Sequence, residues 1–161
     1  MKRFVALYFL FLALLFTLFY AETSVVSLFL NEMQTKLTLF FLNIFLEAEQ
    51  LQGIDIWINP HYKIIISQAC NGMIPILFLY AAILAYPSRG VDKFLWMLMG
   101  YVSFFIVNIM RILIVVYAVQ EGGKENFYWS HDLIGNALLL LLGVAVFIGF
   151  IKTVNRSART V

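Results

Sequence analysis

The sequence predicts an all-α polytopic membrane protein with about four transmembrane helices, an outer interfacial helical hairpin and a short β-hairpin cap. Three observations predict it. Hydrophobic residues make up 63% of the 161-residue chain and charged residues 12%, against about 25% charged in a soluble domain. Apolar runs of nearly membrane-crossing length recur along the chain. The Lys and Arg residues gather at one set of run ends. This composition excludes an ordinary soluble globule, a disordered chain and a disulfide scaffold. A net charge of +2 leaves no nucleic-acid footprint.

The first span is placed at 1–21. Lys2 and Arg3 precede Phe4 to Tyr20, a run without charge. At about 1.5 Å per residue this run nearly crosses a hydrocarbon core of roughly 30 Å. A signal peptide is the alternative, but its apolar region would be long. Phe19 and Ala21 also make a poor small-x-small cleavage site.

Residues 22–69 are assigned to an outer cap. Thr23 to Leu46 is apolar at both ends, with Asn31, Glu32, Gln34 and Lys36 in its middle. A further crossing here would reverse every later loop, so the polar centre is taken as the tip of an interfacial or re-entrant helical hairpin. Alternation at Ile54, Ile56 and Ile58, then Asn59-Pro60 and a β-branched run, predicts a β-hairpin. The second span is 73–86, closed by Pro87-Ser-Arg-Gly90. The third is 94–119, broken only by Asn108 and Arg111. The fourth is 132–151 with Ser130 as its N-cap. A basic tail, 152–161, carries Lys152, Arg156 and Arg159. The whole chain, 1–161, is expected to form a single membrane-embedded domain.

Alternation from a cytoplasmic N-terminus puts Lys2, Arg3, Arg89, Lys93, Lys152, Arg156 and Arg159 inside. Lys36, Lys63 and Lys124 fall outside, and only Asp92 of the nine acidic residues lies inside. Both termini are therefore expected to be cytoplasmic, in a multi-pass protein of the cytoplasmic (inner) membrane.

Three polar residues then stand out. Cys70, the single cysteine, lies where the cap turns into the second helix, with Asn71 as N-cap and Pro75 in the first turn. The positive end of the helix dipole lowers a thiol pKa there and favours the nucleophilic thiolate. A lone cysteine is also simply a small hydrophobe. Arg111 lies in a span, roughly 26 Å along it from Phe94. A charge so placed faces a partner or a wet cavity, unless it snorkels to headgroups. His131 follows the loop that begins at Gly122 and opens the fourth helix; an interfacial histidine beside Phe127, Tyr128 and Trp129 is the alternative. Orientation, set by other residues, puts all three at the outer ends of different helices. A thiolate nucleophile, an imidazole acid/base and a cation for an oxyanion together suit acyl transfer from a peptide carbonyl. Asn108, Asn71, Asp132 and His61 are secondary candidates. Asn108 precedes Arg111 by about one turn. Asp132 ranks low because adjacent helix residues point about 100° apart. Two histidines and one cysteine make a poor metal set, and no cofactor motif is present, so neither metal nor cofactor is expected.

At Ala69-Cys70-Asn71-Gly72, Asn108-Ile-Met-Arg111-Ile and His131-Asp-Leu-Ile-Gly135 the sequence resembles the exosortase/archaeosortase family of membrane-embedded cysteine transpeptidase-like proteases. The resemblance covers roughly residues 50 to 151. It implies Cys70 as nucleophile, His131 as general acid/base and Arg111 as third active-site member, at the outer membrane face. It also implies membrane-anchored protein substrates whose C-terminal signal is a short motif, a transmembrane helix and a basic tail, as in PEP-CTERM proteins. The short chain looks like a compact subtype such as exosortase H. A small transporter or channel, and a non-catalytic assembly subunit, remain the rival classes. A through-path requires polar residues along the whole bundle depth, which the first and fourth spans lack.

Overall fold

An apolar run with no Gly or Pro gives α1, Lys2–Phe19. It packs antiparallel to α3, Met73–Ala85, with Phe16 against Phe78 and Phe4 against Tyr86. None of the α1 residues is buried, so this helix leaves most of its surface to lipid. The computed structural model describes residues 2–21, 24–47 and 49–157, without the side chains of Ala69, Asp132 and Ser157. Arg159 of the expected basic tail lies outside the described residues.

The expected helical hairpin is instead one continuous helix, α2, Val25–Phe45. The polar centre does not turn the chain because its residues divide between two faces. Ser27, Asn31, Gln34 and Thr38 form one buried stripe at helical spacing. Glu32 and Lys36 pair across one turn on the exposed side, 2.6 Å apart. Apolar Val25, Phe29 and Phe40 face outward. This inverted amphipathicity suits a helix whose surroundings are apolar.

The β-hairpin forms and gains a third strand. The sheet has the order β1 (Leu51–Gln52), β2 (Asp55–Asn59), β3 (Tyr62–Ile65), all antiparallel. Asn59 Oδ1 accepts the His61 N–H at 2.9 Å and shapes the β2–β3 turn. Leu51 pairs with Ile56, and Ile56 with Ile64.

α4 runs from Gly90 to Gly122, longer at both ends than the expected span. A π segment, Tyr128–Gly135, leads into α5, Asn136–Ser157. Ser130 does not cap the fourth helix as expected. It lies inside the π segment, its hydroxyl donating to the Asn126 carbonyl at 2.7 Å. Among the described residues three stretches are long and apolar enough to cross a membrane: α1, α4, and Tyr128–Arg156. α3 is apolar but has 13 residues, about 20 Å of helix. The chain is an all-α polytopic membrane protein with a small sheet.

One end of the bundle gathers basic residues. Lys93 Nζ donates to the Leu84 carbonyl at 2.7 Å, and the Tyr86 hydroxyl to Asn155 at 3.2 Å. A buried stripe on α4, Phe104, Asn108, Arg111, Val115 and Val119, joins two apolar clusters. Phe104 packs with Ile76, Leu79 and Phe150 toward the basic end. Val115 and Val119 pack with Leu42 and the inward isoleucines of the sheet toward the other. Asn108 and Arg111 lie between, in a polar layer. Because α3 is short, its start falls in that layer, while α4 continues about 16 Å past Arg111.

Candidate active site

A 3-10 turn, Gln68–Cys70, precedes α3 and ends on the candidate nucleophile. The turn is held from several sides. Gln68 Nε2 donates to the Tyr20 carbonyl at the end of α1, 3.1 Å. Asn108 Nδ2 donates to the Cys70 carbonyl at 2.9 Å, and Gln34 Nε2 to the Asn71 carbonyl at 3.1 Å. Asn71, fully buried, donates to Asn31 Oδ1 at 2.9 Å and accepts the Met73 N–H at 3.0 Å. Asn71 is therefore not the N-cap expected for α3, although its side chain accepts the first helical N–H from one residue further out. Gly72 takes the N-cap position with φ of +78°. A Cβ there would also lie 3.1 Å from Asn108 Cγ, so glycine suits both the left-handed backbone and the close approach of α4.

The half-buried Cys70 Sγ lies 3.7 Å from His131 Nε2 and accepts from the Ser67 hydroxyl at 3.7 Å. Burial pushes the thiol up. A His131 ring that has taken the proton, and the Ser67 hydroxyl, both bond to the thiolate; together they outweigh burial and bring the thiol down to about 7 from its ordinary 9.0. The α3 dipole is the cause expected from the sequence. Cys70 in fact ends the preceding turn, and its named partners are two side chains.

Arg111 is 3% exposed. Its Nη1 donates to Asn108 Oδ1 at 3.4 Å. Its Nη2 meets His131 Nε2 at 3.0 Å, the His131 carbonyl at 3.4 Å and Asn136 Oδ1 at 3.2 Å. A guanidinium only donates, so His131 Nε2 is the acceptor in this contact and its ring hydrogen sits on Nδ1. The His131 ring stacks on Phe127, centroids 4.9 Å apart and planes 10° from parallel. That contact fixes the ring plane so that one nitrogen faces both Sγ and the guanidinium.

The structure thus brings Cys70, Arg111 and His131 together, with Asn108 and Asn71 around them. His61 is not among them. It is exposed at the β2–β3 turn, in a cleft shared with Val119 and Lys124. The Asp132 side chain lies outside the described residues. Sequence reasoning missed Ser67, Asn136 and the Asn31–Gln34 support. The spacing of Ser27, Asn31, Gln34 and Thr38 carried a helical signal. Asn136 carried none, because residues five apart lie about 140° around an α-helix. The π register, closing hydrogen bonds five residues apart, brings them nearly into line.

Below this layer a cavity of about 520 Å³ opens between α3 and α5. Gly72, Arg111 and Asn136 line its upper end, while Leu79, Val144 and Phe147 line its apolar walls. No group of three or more His, Cys, Asp or Glu with metal-ligand placement occurs among the described residues.

The sequence model of the transmembrane exosortase family matches residues 2–149. The chain belongs to this family. It is also similar to a protein named "Probable archaeosortase E" of Methanocaldococcus jannaschii. The two are 26% identical over 149 residues, 92% of this chain and 77% of that protein. No solved structure matches. As an exosortase-family protein, this chain carries its three candidate residues at the same depth of one bundle.

Proposed function

We propose that this exosortase-family protein is a cysteine endopeptidase or transpeptidase of the cytoplasmic membrane. Its substrates are exported proteins with a C-terminal motif, a transmembrane helix and a basic tail, of the PEP-CTERM kind. Both termini face the cytoplasm and the site lies toward the outer face. The observation that carries this reading is the convergence on one imidazole nitrogen: His131 Nε2 has the Cys70 thiol at 3.7 Å and the Arg111 guanidinium at 3.0 Å.

The substrate helix lies along the apolar cavity between α3 and α5, which places its scissile peptide beside Gly72 and Arg111. Nε2 takes the thiol proton as Arg111 releases it. The thiolate attacks the peptide carbonyl carbon, and Arg111 donates to the oxyanion. His131 returns the proton to the departing amine as the C–N bond breaks. A thioester remains on Cys70. Water resolves it to a free acid, or an acceptor nucleophile takes the acyl group. In either case His131 removes the incoming proton and the thiol re-forms. Tethering both partners in one membrane raises their effective concentration, so few recognition contacts are needed.

A permeation path is less well supported, because Ile76, Leu79, Phe104 and Phe150 form an apolar plug below the polar layer. Co-expression with a substrate carrying such a signal tests the proposal. A shortened product is expected from the wild type and not from Cys70→Ala. Equal processing by both would remove the thiol mechanism.

A further inference from the structure

Asn136 has no place in the reaction described above, yet it contacts the cation. Its Oδ1 accepts from Arg111 Nη2 at 3.2 Å, the same nitrogen that donates to His131 Nε2 at 3.0 Å and to the His131 carbonyl at 3.4 Å. Nη2 carries two hydrogens. Among the described contacts three acceptors therefore compete for them, and the guanidinium is poised between the ring and the amide.

The backbone is built for this arrangement. Residues 131 and 136 face one way only because the π register runs through Tyr128–Gly135. Gly135 between them leaves the space that Arg111 occupies, since a Cβ there would collide with Arg111 Nε. From the other side, Asn108 Oδ1 accepts from Nη1 at 3.4 Å. Arg111 thus lies across the π segment between two asparagine amides.

For Nε2 to receive the Cys70 proton, the guanidinium hydrogen must leave that lone pair. Asn136 Oδ1 is a neutral acceptor on the same fork arm and holds Nη2 while the ring is protonated. We propose that Asn136 is a positioning residue: it draws Arg111 off His131 Nε2, so that the imidazole is free to take the Cys70 proton. The inference rests on the thiol–imidazole reading of this site, but it has a readout that needs no substrate. The charged or titratable groups in the described contacts of thiol and ring are each other and Arg111. Ser67, Asn108 and Asn136 are neutral.

The test is the rate at which iodoacetamide alkylates Cys70 across pH, on the full chain in nanodiscs. Alkylation follows the thiolate. In Asn136→Leu the guanidinium settles on Nε2, the thiolate becomes harder to form and the alkylation midpoint rises. A rise of one unit lowers the rate about tenfold below the midpoint. Asn136→Gln keeps a neutral oxygen acceptor, so its profile stays closer to the wild type than that of N136L. An N136L profile that overlays the wild type overturns the inference. So does an N136Q profile displaced upward as far as that of N136L. If N136L does not fold, Asn136→Ala, which also lacks the acceptor, takes its place. Substrate processing by the wild type and Cys70→Ala is measured in parallel. A failure there removes the protease reading, whereas the alkylation profiles report on Asn136 alone.

Discussion

The guanidinium of Arg111 donates to His131 at Nε2, 3.0 Å away, the nitrogen that also faces the Cys70 thiol. Arg111 and the thiol therefore present their hydrogens to one lone pair. The resting arrangement has a neutral ring, and forming the thiolate requires the arginine to shift. In the proposed reaction, that shift delivers the arginine to the oxyanion.

Arg111→Lys tests this first. Lysine keeps the charge but loses the planar fork that reaches Asn108, His131 and Asn136 together. Processing should fall about 100-fold or more, the range for losing an oxyanion donor. Product formation in a co-expression time course measures it. Full activity would reduce Arg111 to a charge.

The thiol has a pH signature. Cys70 lies at about 7, below its ordinary value, because a His131 ring that has taken the proton and the Ser67 hydroxyl bond to the thiolate and outweigh its burial. The reactive thiolate is the deprotonated form, so alkylation should be slow below that pH and rise through it. His131→Ala removes the larger of the two bonds, and its midpoint should move upward. Ser67→Ala should move it upward by less. Rate–pH profiles of the two variants check the order.

Gly135→Ala opposes local preference to the site. Alanine is favoured over glycine in a helix by about 1 kcal/mol. Here its Cβ meets Arg111 Nε. The variant should keep its thermal midpoint in detergent yet lose most of its processing activity. Unchanged activity would show that the guanidinium has room elsewhere.

α2 should matter to stability through Asn31. Asn31→Leu leaves the buried Asn71 Nδ2 without its acceptor, a loss of about 1–3 kcal/mol. A lower thermal midpoint in detergent is expected. Phe40→Leu, on the exposed apolar face, should leave it unchanged.

Much of this was legible in the sequence. The basic run ends and the breaks at Pro87 and Asn59-Pro60 located the spans and the sheet. The shared depth of three helix ends placed Cys70, Arg111 and His131 in one layer. What stayed hidden depended on contacts and register. Asn31 and Gln34 looked like a polar tip because a linear count does not separate the faces of a helix. Asn136 looked displaced from His131 because a π register leaves no sequence pattern. The partners of the thiol leave no sequence signal, because Ser67 and His131 meet it only after folding.

The most direct measurement is intact-mass analysis of the acid-quenched protein after mixing with a substrate segment. An acyl adduct on Cys70, removed by hydroxylamine as a thioester is, is the predicted result. Substrate cleavage that proceeds without such an adduct, and equally well in Cys70→Ala, would contradict it.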